Sequence, residues 1–562
     1  MQCLRIDLRP SRVADLVSVC RRTAMDTVML FTGGPQWYSR PQTIQQAHLW
    51  VAQMEPAVHA LRAERLGIAI NVWATLGHGT GDTWLKDSPW QPQVGSDGHP
   101  IWDVVCPLDR GWQQYVEDLY AWYASLSPDW IWIDDDFRHH HHPPADWTCF
   151  CPLHIAAVGQ VLQRSLTLED ILRAVFVEQD ASVISAWRLA LNDGITQLAR
   201  RLARRVHAVS PATRWGLMSS PPELHGFEGR HWIKLLDALS VAATAAVRPT
   251  LGNYSGGDAR DVIGGTLLAV RTMQHVGEHP PYPEIESYPF GAWNKSARYL
   301  RLQILASAAY GMNELTFDIF PYGGRTELRD PAIESVLRHT LAHLQAQKTS
   351  VITHASWELR GIGVPVLQWP EGLRYPGVEP RLWDMPLSLL GFGLQFDAQS
   401  PVVALHEGLV ATWPEDRLRH HFSHGVLMDA AAARTLFHRG LGSWIRCGIG
   451  HSYRLPGQEI TADDDPQLLR DLRIETACLL ELIPTSVSTV ATWVQDRDGH
   501  TLGPGMVWTT NDLGGRVVLV ADEGIRGGIL QRTYLNAVWQ RLWFAPRICW
   551  RSTSNARPMV GG

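Results

Sequence analysis

Two acidic clusters carry the residues best suited to chemistry. Trp130-Ile131-Trp132-Ile133 runs into Asp134-Asp135-Asp136-Phe137-Arg138, and Tyr282-Pro283 leads to Glu284-Ile285-Glu286-Ser287-Tyr288-Pro289. Each run is too apolar to lie in water and ends in carboxylates too charged to lie in a core. Barrels of parallel strands hold their reacting groups at such strand ends. Two carboxyl groups facing one cavity are the minimum equipment for cleaving a glycosidic bond, about 5–5.5 Å apart when configuration is retained. Glu284 and Glu286 share one face of an extended segment, so either can point inward.

Elements able to position such groups are visible along the chain. Candidate strands are Cys3–Leu8, Thr27–Thr32, Gly67–Trp73, Trp130–Asp135, Trp215–Ser219, Pro249–Tyr254, Glu284–Tyr288 and Glu314–Phe320, with the run Val241–Val247 competing for the sixth. Helical patterns such as Trp112–Ser125, Ala186–Val209 and Ser296–Tyr310 lie between them. This alternation predicts an α/β fold, a (β/α)8 TIM barrel over residues 1–350. Residues 351–484 read as a small α/β domain, flavodoxin- or amidotransferase-like, in which Gly425–Asp429 is a strand followed by a helix closed at Gly440. Residues 485–562 are β-rich with Asp-Gly and Gly-Gly turn signals, and predict a small C-terminal β domain.

Bulk properties narrow the function. The 562-residue chain has a net charge of −6 and no long Lys/Arg run, which argues against nucleic acid. No stretch of ~20 apolar residues predicts a membrane span. The amino-terminal residues lack a basic segment followed by an apolar one, so no secretory signal is expected and a cytoplasmic location is. The 25 Trp suit a carbohydrate cleft, where indoles stack on sugar faces, although most fill cores. The eight Cys are scattered apart from one close pair and read as thiols in a reducing compartment.

Further polar and aromatic groups follow the candidate strands. Trp37 and Tyr38 follow the second, Trp73 and His78 the third, Asn253 and Tyr254 end the sixth, Tyr288, Trp293 and Asn294 follow the seventh, and Asp318 and Tyr322 the eighth. A sugar site needs this mixture of planar, acidic and aromatic groups. Arg138 suits a clamp on substrate or an ion pair with the neighbouring acids. Cys149-Phe150-Cys151-Pro152-Leu153-His154 offers three soft ligands, with reduced thiols and an ordinary histidine as the alternative. The run His139–His142 reads as a solvated loop, with cleft lining or metal binding as alternatives. Asp429 lacks a Gly-rich phosphate loop and reads as structural.

Ile133-Asp134-Asp135-Asp136-Phe137 and Glu286-Ser287-Tyr288-Pro289-Phe290-Gly291-Ala292-Trp293-Asn294 resemble segments of glycoside hydrolase family 42, the β-galactosidases with a trimerisation domain. The helical stretch from Arg298 to Gly311, the segment 389–393 and Gly425–Asp429 resemble that family too, as does the order of domains. The resemblance implies a retaining, exo-acting glycosidase for β-linked galactosides or related hexosides, working by double displacement and assembled as a trimer. It gives Asp136 the acid/base role, Glu286 the nucleophile role, and Asp135 the place of an Asn that holds the sugar 2-hydroxyl. It also implies a structural zinc on Cys149, Cys151 and His154, with Cys106 as fourth ligand. Two departures stand out. An Asp replaces the expected Glu at 136, and the extra charge of Asp135 raises a neighbouring carboxyl's pKa. Other readings are a metal-dependent hydrolase using Asp134–Asp136 with His139–His142, and a catalytically inactive carbohydrate-binding homologue.

Overall fold

The computed structural model describes residues 2–3, 9–33, 40–141, 147–252, 254–287, 294–312, 314–319, 331–347, 361–367, 382–389, 392–461, 473–495 and 498–521. The chain divides into two compact units, Met1–Lys348 and Thr349–Gly562.

Among the described residues, the first unit is built on eight parallel strands: Gln2–Cys3, Thr27–Phe31, Gly67–Val72, Trp130–Ile133, Arg214–Ser219, Ala246–Pro249, Glu284–Glu286 and Thr316–Asp318. The first six form one sheet in sequential order. Parallel bridges Val247↔Pro281 and Thr250↔Glu284 join the sixth strand to the seventh. The seventh pairs with the eighth, and the eighth packs beside the first, which closes the barrel.

Helices return the chain between strands, and their starts are written in the sequence. Thr43 and Gln46 form a capping box at Ile44–Ala63, Asp258 and Asp261 another at Ala259–Met273, and Ser296 caps Ala297–Ala309. The 29-residue helix Ala181–Val209 starts at Asp180, whose carboxylate accepts from Ser182 and Val183 N–H groups.

Inside the barrel Met29, Phe31, Ala69, Trp130, Trp132 and Ala246 pack together. Trp130 and Trp132 stack at 5.7 Å. Their bulk demands space opposite. A Cβ on Gly216 would lie 2.2 Å from the Trp132 ring, so glycine at this position of the fifth strand is a steric requirement.

The sixth strand corrects the sequence reading. It is Ala246–Pro249, not Pro249–Tyr254, because Ala246, Val247, Arg248 and Pro249 pair with Gly216–Ser219. Proline then lies at the strand end, where its missing N–H costs no ladder bond.

Among the described residues, the second unit contains one nine-stranded sheet. Leu394–Gln395, Ile362–Gly363, Val402–Leu405, Gly425–Asp429 and Arg516–Val520 are parallel neighbours in that order. Thr501–Thr510, Thr489–Gln495, Cys447–Thr461 and Arg473–Pro484 continue the sheet antiparallel. The expected boundary between residues 484 and 485 is therefore crossed by a single sheet. Arg516–Val520, from the expected β domain, is the strand hydrogen-bonded to Gly425–Asp429 of the expected α/β domain. Val403, Leu405, Val426, Met428, Leu479, Val507, Val517 and Leu519 share one core. Asp429 caps the following helix by accepting from Ala432 N–H at 2.7 Å, a structural role. Among the described residues, no helix is long and apolar enough to cross a membrane.

Candidate active site

The fourth strand ends in three carboxylates that the fold sends three ways. Asp134 lies inside the barrel, 2% exposed. It accepts from Asn71 Nδ2 and sits 3.7 Å from Arg248 Nη2. Burial raises its pKa to about 6 against the opposing charge of Arg248.

Asp135 is the carboxylate of the three that reaches solvent, its side chain 28% exposed. Arg138 Nη1 donates to its Oδ2, Ser220 Oγ lies at 3.4 Å, and His78 Nδ1 stands 3.6 Å from its Oδ1. Burial pushes the Asp135 pKa up, but Arg138 and His78 outweigh it and hold the group ionised. The ring of His78 is fixed by its Nε2–H, which donates to Trp73 O at 2.7 Å, and by the Trp73 ring at 4.7 Å. Burial lowers the His78 pKa, and the charges of Asp136, Asp135 and Asp134 reverse this to a net rise.

Asp136 corrects the sequence reading. It is fully buried, and its Oδ2 accepts backbone N–H groups of Thr75, Leu76 and Gly77 at 2.5, 2.7 and 2.8 Å. A carboxylate clamped on three amides of the loop after the third strand does not reach a glycosidic oxygen in the cleft. The acid/base role implied for Asp136 fails on this geometry.

The segment after the triplet is gripped from the fifth-strand side. Glu228 and Arg230 form a buried pair at 2.7 Å. Glu228 Oε2 accepts from His139 N at 2.6 Å, and Arg230 Nη2 donates to Phe137 O. His139, His140 and His141 are buried, so the expectation of a solvated histidine loop is overturned for these three; His142 lies outside the described residues. The run is held inward at the His139 backbone by Glu228, at the His140 ring by the His225 ring 4.7 Å away, and at the His141 ring by Gln93 Oε1 at 3.2 Å.

Strands seven and eight supply the other wall. Glu284 is 5% exposed, and its Oε1 lies 3.5 Å from Arg248 Nε. Arg248, fully buried over the Trp132 ring at 5.5 Å, thus stands between Asp134 and Glu284. Glu286 is half-buried one layer above. Burial, Glu284 and Asp318 push its pKa up to about 10. Lys295 Nζ donates to Glu286 O, and burial lowers the lysine to about 8. Asn294 Nδ2 donates to Ser287 O at 2.7 Å and to Tyr254 O at 2.8 Å, tying the loops after strands six and seven together. Burial together with the charges of Glu286, Glu284 and Asp135 pushes the Tyr254 phenol up. Asp135 follows the fourth strand and Glu286 ends the seventh, so both carboxyls lie at the carboxyl-terminal ends of barrel strands.

Several expected contacts change character. Arg138 is 4% exposed and spends its guanidinium on Asp135, Ser220 Oγ at 3.0 Å and His140 O at 2.9 Å, so it is a brace and not a substrate clamp. Asp318 is 2% exposed, opposite Glu286 in the ladder, and lies too deep to bind substrate. Trp37, Tyr38, Asn253, Tyr288, Trp293 and Tyr322 lie outside the described residues. Arg248 was absent from the sequence reading. Its signal was a lone arginine within the apolar run Ala245–Pro249, where only a buried partner justifies a charge.

A separate cluster has the chemistry of a metal centre. Cys106, Cys149, Cys151 and His154 are buried with their ligand atoms within 4.8 Å of one another. Cys106 Sγ lies 3.3 Å from His154 Nδ1, and Cys151 Sγ lies 3.5 Å from both. Tetrahedral zinc with sulfur at about 2.3 Å has ligand edges of about 3.8 Å, so the donor set fits with a small outward shift. The hairpin Pro92–Val94/Pro100–Val105 delivers Cys106, while Cys151 caps the helix Pro152–Leu162, which carries His154 in its first turn.

No family model matches the chain, and no curated protein is similar to it in sequence. Solved structures do share its fold. The cold-adapted β-galactosidase of Rahnella sp. R3 superposes with a TM-score of 0.60 at 12% identity, over 96% of this chain and 88% of that one. The β-galactosidase of Bacillus circulans sp. alkalophilus gives 0.61 at 11% identity over 95% and 87%. A family 42 β-galactosidase from G. stearothermophilus, solved as a catalytic mutant, gives 0.58 at 10% identity over 96% and 88%. At these identities the likeness is one of fold, a barrel-containing α/β architecture shared along nearly the whole chain.

Proposed function

We propose that this protein is a glycoside hydrolase, retaining and exo-acting, for a β-linked galactoside or related hexoside. The shared architecture supports the sugar class, since the structures matched in fold are β-galactosidases. Fold alone does not carry a function. The observation that does is the placement of Asp135 just past the end of the fourth strand and of Glu286 at the end of the seventh, the end of the barrel where such enzymes work.

The environments of the two carboxyls divide their labour. Arg138 and His78 keep Asp135 ionised, while burial and two neighbouring acids keep Glu286 protonated. Groups pushed apart in this way are an acid and a base. In our reading Glu286 protonates the leaving oxygen and Asp135 attacks the anomeric carbon, which exchanges the roles the sequence resemblance implies. The ionised Glu286 then draws the proton from water as the glycosyl-enzyme ester is hydrolysed.

Azide rescue tests the division. On an activated aryl β-glycoside, Asp135→Ala with azide is expected to give the α-glycosyl azide, and Glu286→Ala with azide the β-glycosyl azide. Swapped anomers would restore Glu286 as nucleophile. No turnover by the native chain across a panel of aryl glycosides would overturn the enzyme reading in favour of a sugar-binding homologue.

We also infer that Cys106, Cys149, Cys151 and His154 hold a structural zinc, because four protein ligands leave no position for a reacting water. Zinc there would fix the hairpin to the helix that follows and supply no chemistry to the cleft.

A further inference from the structure

We propose that His78 is a positioning residue for the cleft: an imidazolium, protonated on both ring nitrogens, that holds Asp135 from the loop after the third strand. The positioning role rests on the reading of the cleft as a glycosidase site, whichever part Asp135 plays in the chemistry. The state of the ring is tested without turnover.

The ring's partners fix its protons. His78 Nε2 lies 2.7 Å from Trp73 O, and a carbonyl oxygen has no hydrogen to give, so Nε2 is the donor. The other nitrogen, Nδ1, stands 3.6 Å from Asp135 Oδ1. On a neutral ring that nitrogen turns a lone pair toward the carboxylate. Arg138 Nη1 donates to the other oxygen, Oδ2, and Ser220 Oγ lies 3.4 Å from it, so Asp135 is held ionised from its far side. A lone pair facing an ionised oxygen is repulsive, whereas a second proton on Nδ1 makes the same contact an ion pair. Asp135 is then gripped by a cation at each oxygen.

The loop is built to deliver this ring. Gly77 and Gly79 flank His78 with φ of +112° and +69°. A Cβ would lie 2.0 Å from Asp103 O at the first and 2.9 Å from His141 Cβ at the second, so both positions call for glycine. Asp103 Oδ2 accepts from the N–H groups of Thr80 and Gly81 at 2.6 and 3.0 Å, which pins the loop just past His78. The Trp73 ring lies 4.7 Å from the imidazole. The same loop gives the amides of Thr75, Leu76 and Gly77 to Asp136. One loop thus grips two carboxylates of the triplet, Asp136 through its backbone and Asp135 through His78.

The charges facing the ring agree with this state. Burial lowers its pKa, and Asp136, Asp135 and Asp134 raise it against the opposing charge of Arg138, with a net rise. His141 packs against the loop at Gly79.

Nitrogen-15 NMR of the full chain, labelled at histidine, reads the ring directly, and the signals missing from His78→Asn identify it. In the native protein the ring is expected to lose its second proton above the ordinary histidine value of about 6.5. In Asp135→Asn that midpoint is expected to fall by at least about one pH unit, the scale of losing an adjacent opposite charge. A ring that titrates at or below the ordinary value, or one unmoved in Asp135→Asn, overturns the proposal. Kinetics on an aryl glycoside test the positioning. His78→Leu is expected to lower kcat about a hundredfold, the scale of a misplaced group. His78→Asn, which sets an amide N–H where Nδ1 stood, is expected to stay within about tenfold of native. Equal losses in the two variants, or none in His78→Leu, overturn the positioning role. Where His78→Leu fails to fold, the titrations of native protein and Asp135→Asn decide. No turnover by a native chain whose ring titrates as expected would sink the hydrolase reading alone, and turnover with an ordinary ring would sink the hold on Asp135 alone.

Discussion

Arg248 Nε lies 3.5 Å from Glu284 Oε1 in the barrel interior, with the arginine fully buried and the glutamate nearly so. The same guanidinium is 3.7 Å from Asp134. Removing one partner of a buried pair leaves an uncompensated charge, at a cost of about 3–5 kcal/mol. Arg248→Met is therefore expected to destabilise the first unit by about that much. It should also raise the pKa of Asp134, whose largest downward influence is Arg248. Urea unfolding of the variant beside native protein checks the first effect, and a stability difference under about 1 kcal/mol would show that the pair is not a barrel support.

Asp136 makes an opposite kind of prediction. Its replacement by Ala leaves three buried amides of residues 75–77 without their acceptor, a loss of about 3 kcal/mol. Turnover per folded molecule should stay within about tenfold of native, because the residue does not face the cleft. A fall of a thousandfold in kcat with unchanged stability would return the acid role to Asp136.

Glu286→Gln is expected to lower kcat on aryl glycosides by at least about a thousandfold, the scale of losing a general acid together with its geometry. In the native enzyme the alkaline limb of activity should follow the ionisation of Glu286, with turnover lost as pH rises toward about 10. A limb falling near pH 6 would instead assign the titration to Asp134.

The buried histidines set the acid side of stability. His140 is 6% exposed and lowered to about 4 by burial, against an unfolded value near 6.5. A lowered folded pKa gives stability that is present above the unfolded value and lost as pH falls through the folded one. His140 alone is worth about 3 kcal/mol between pH 6.5 and 4 on this linkage. His140→Phe should flatten that part of the stability profile, and an equally steep profile would show that the ring titrates normally.

The cysteine cluster gives a compositional prediction. Metal analysis of the purified protein is expected to return about one zinc per chain, and Cys151→Ser to lower that content and the Tm together. A metal-free protein with unchanged Tm after exhaustive chelation would reduce the cluster to packed thiols.

Much of the barrel was legible because each strand is an apolar run bounded by capped helices. Trp130–Ile133 and Thr27–Phe31 announce themselves by burial on both faces. The sixth strand, Ala246–Pro249, precedes the expected Pro249–Tyr254 and overlaps the end of the competing run Val241–Val247, and Arg248 interrupts its apolar pattern. The charge is acceptable only because Asp134 and Glu284 meet it from other strands, which no local pattern reveals. The Asp triplet could be placed at a strand end, but which carboxylate faces the cleft depends on the turn after Ile133. That turn is fixed from a distance, by amides of residues 75–77 and by the Glu228–Arg230 pair. The single sheet of the second unit was equally hidden. Its central pairing joins residues 425–429 to 516–520 across the intervening antiparallel strands.

That pairing decides how the protein tolerates dissection. A truncation ending at residue 484 removes Arg516–Val520 and lays bare one side of Gly425–Asp429, a strand whose five side chains are all buried in the intact molecule. An unprotected apolar strand recruits another chain in its place. The shortened polypeptide would therefore be driven to aggregate, and surface engineering of this protein should leave the carboxyl-terminal strands attached.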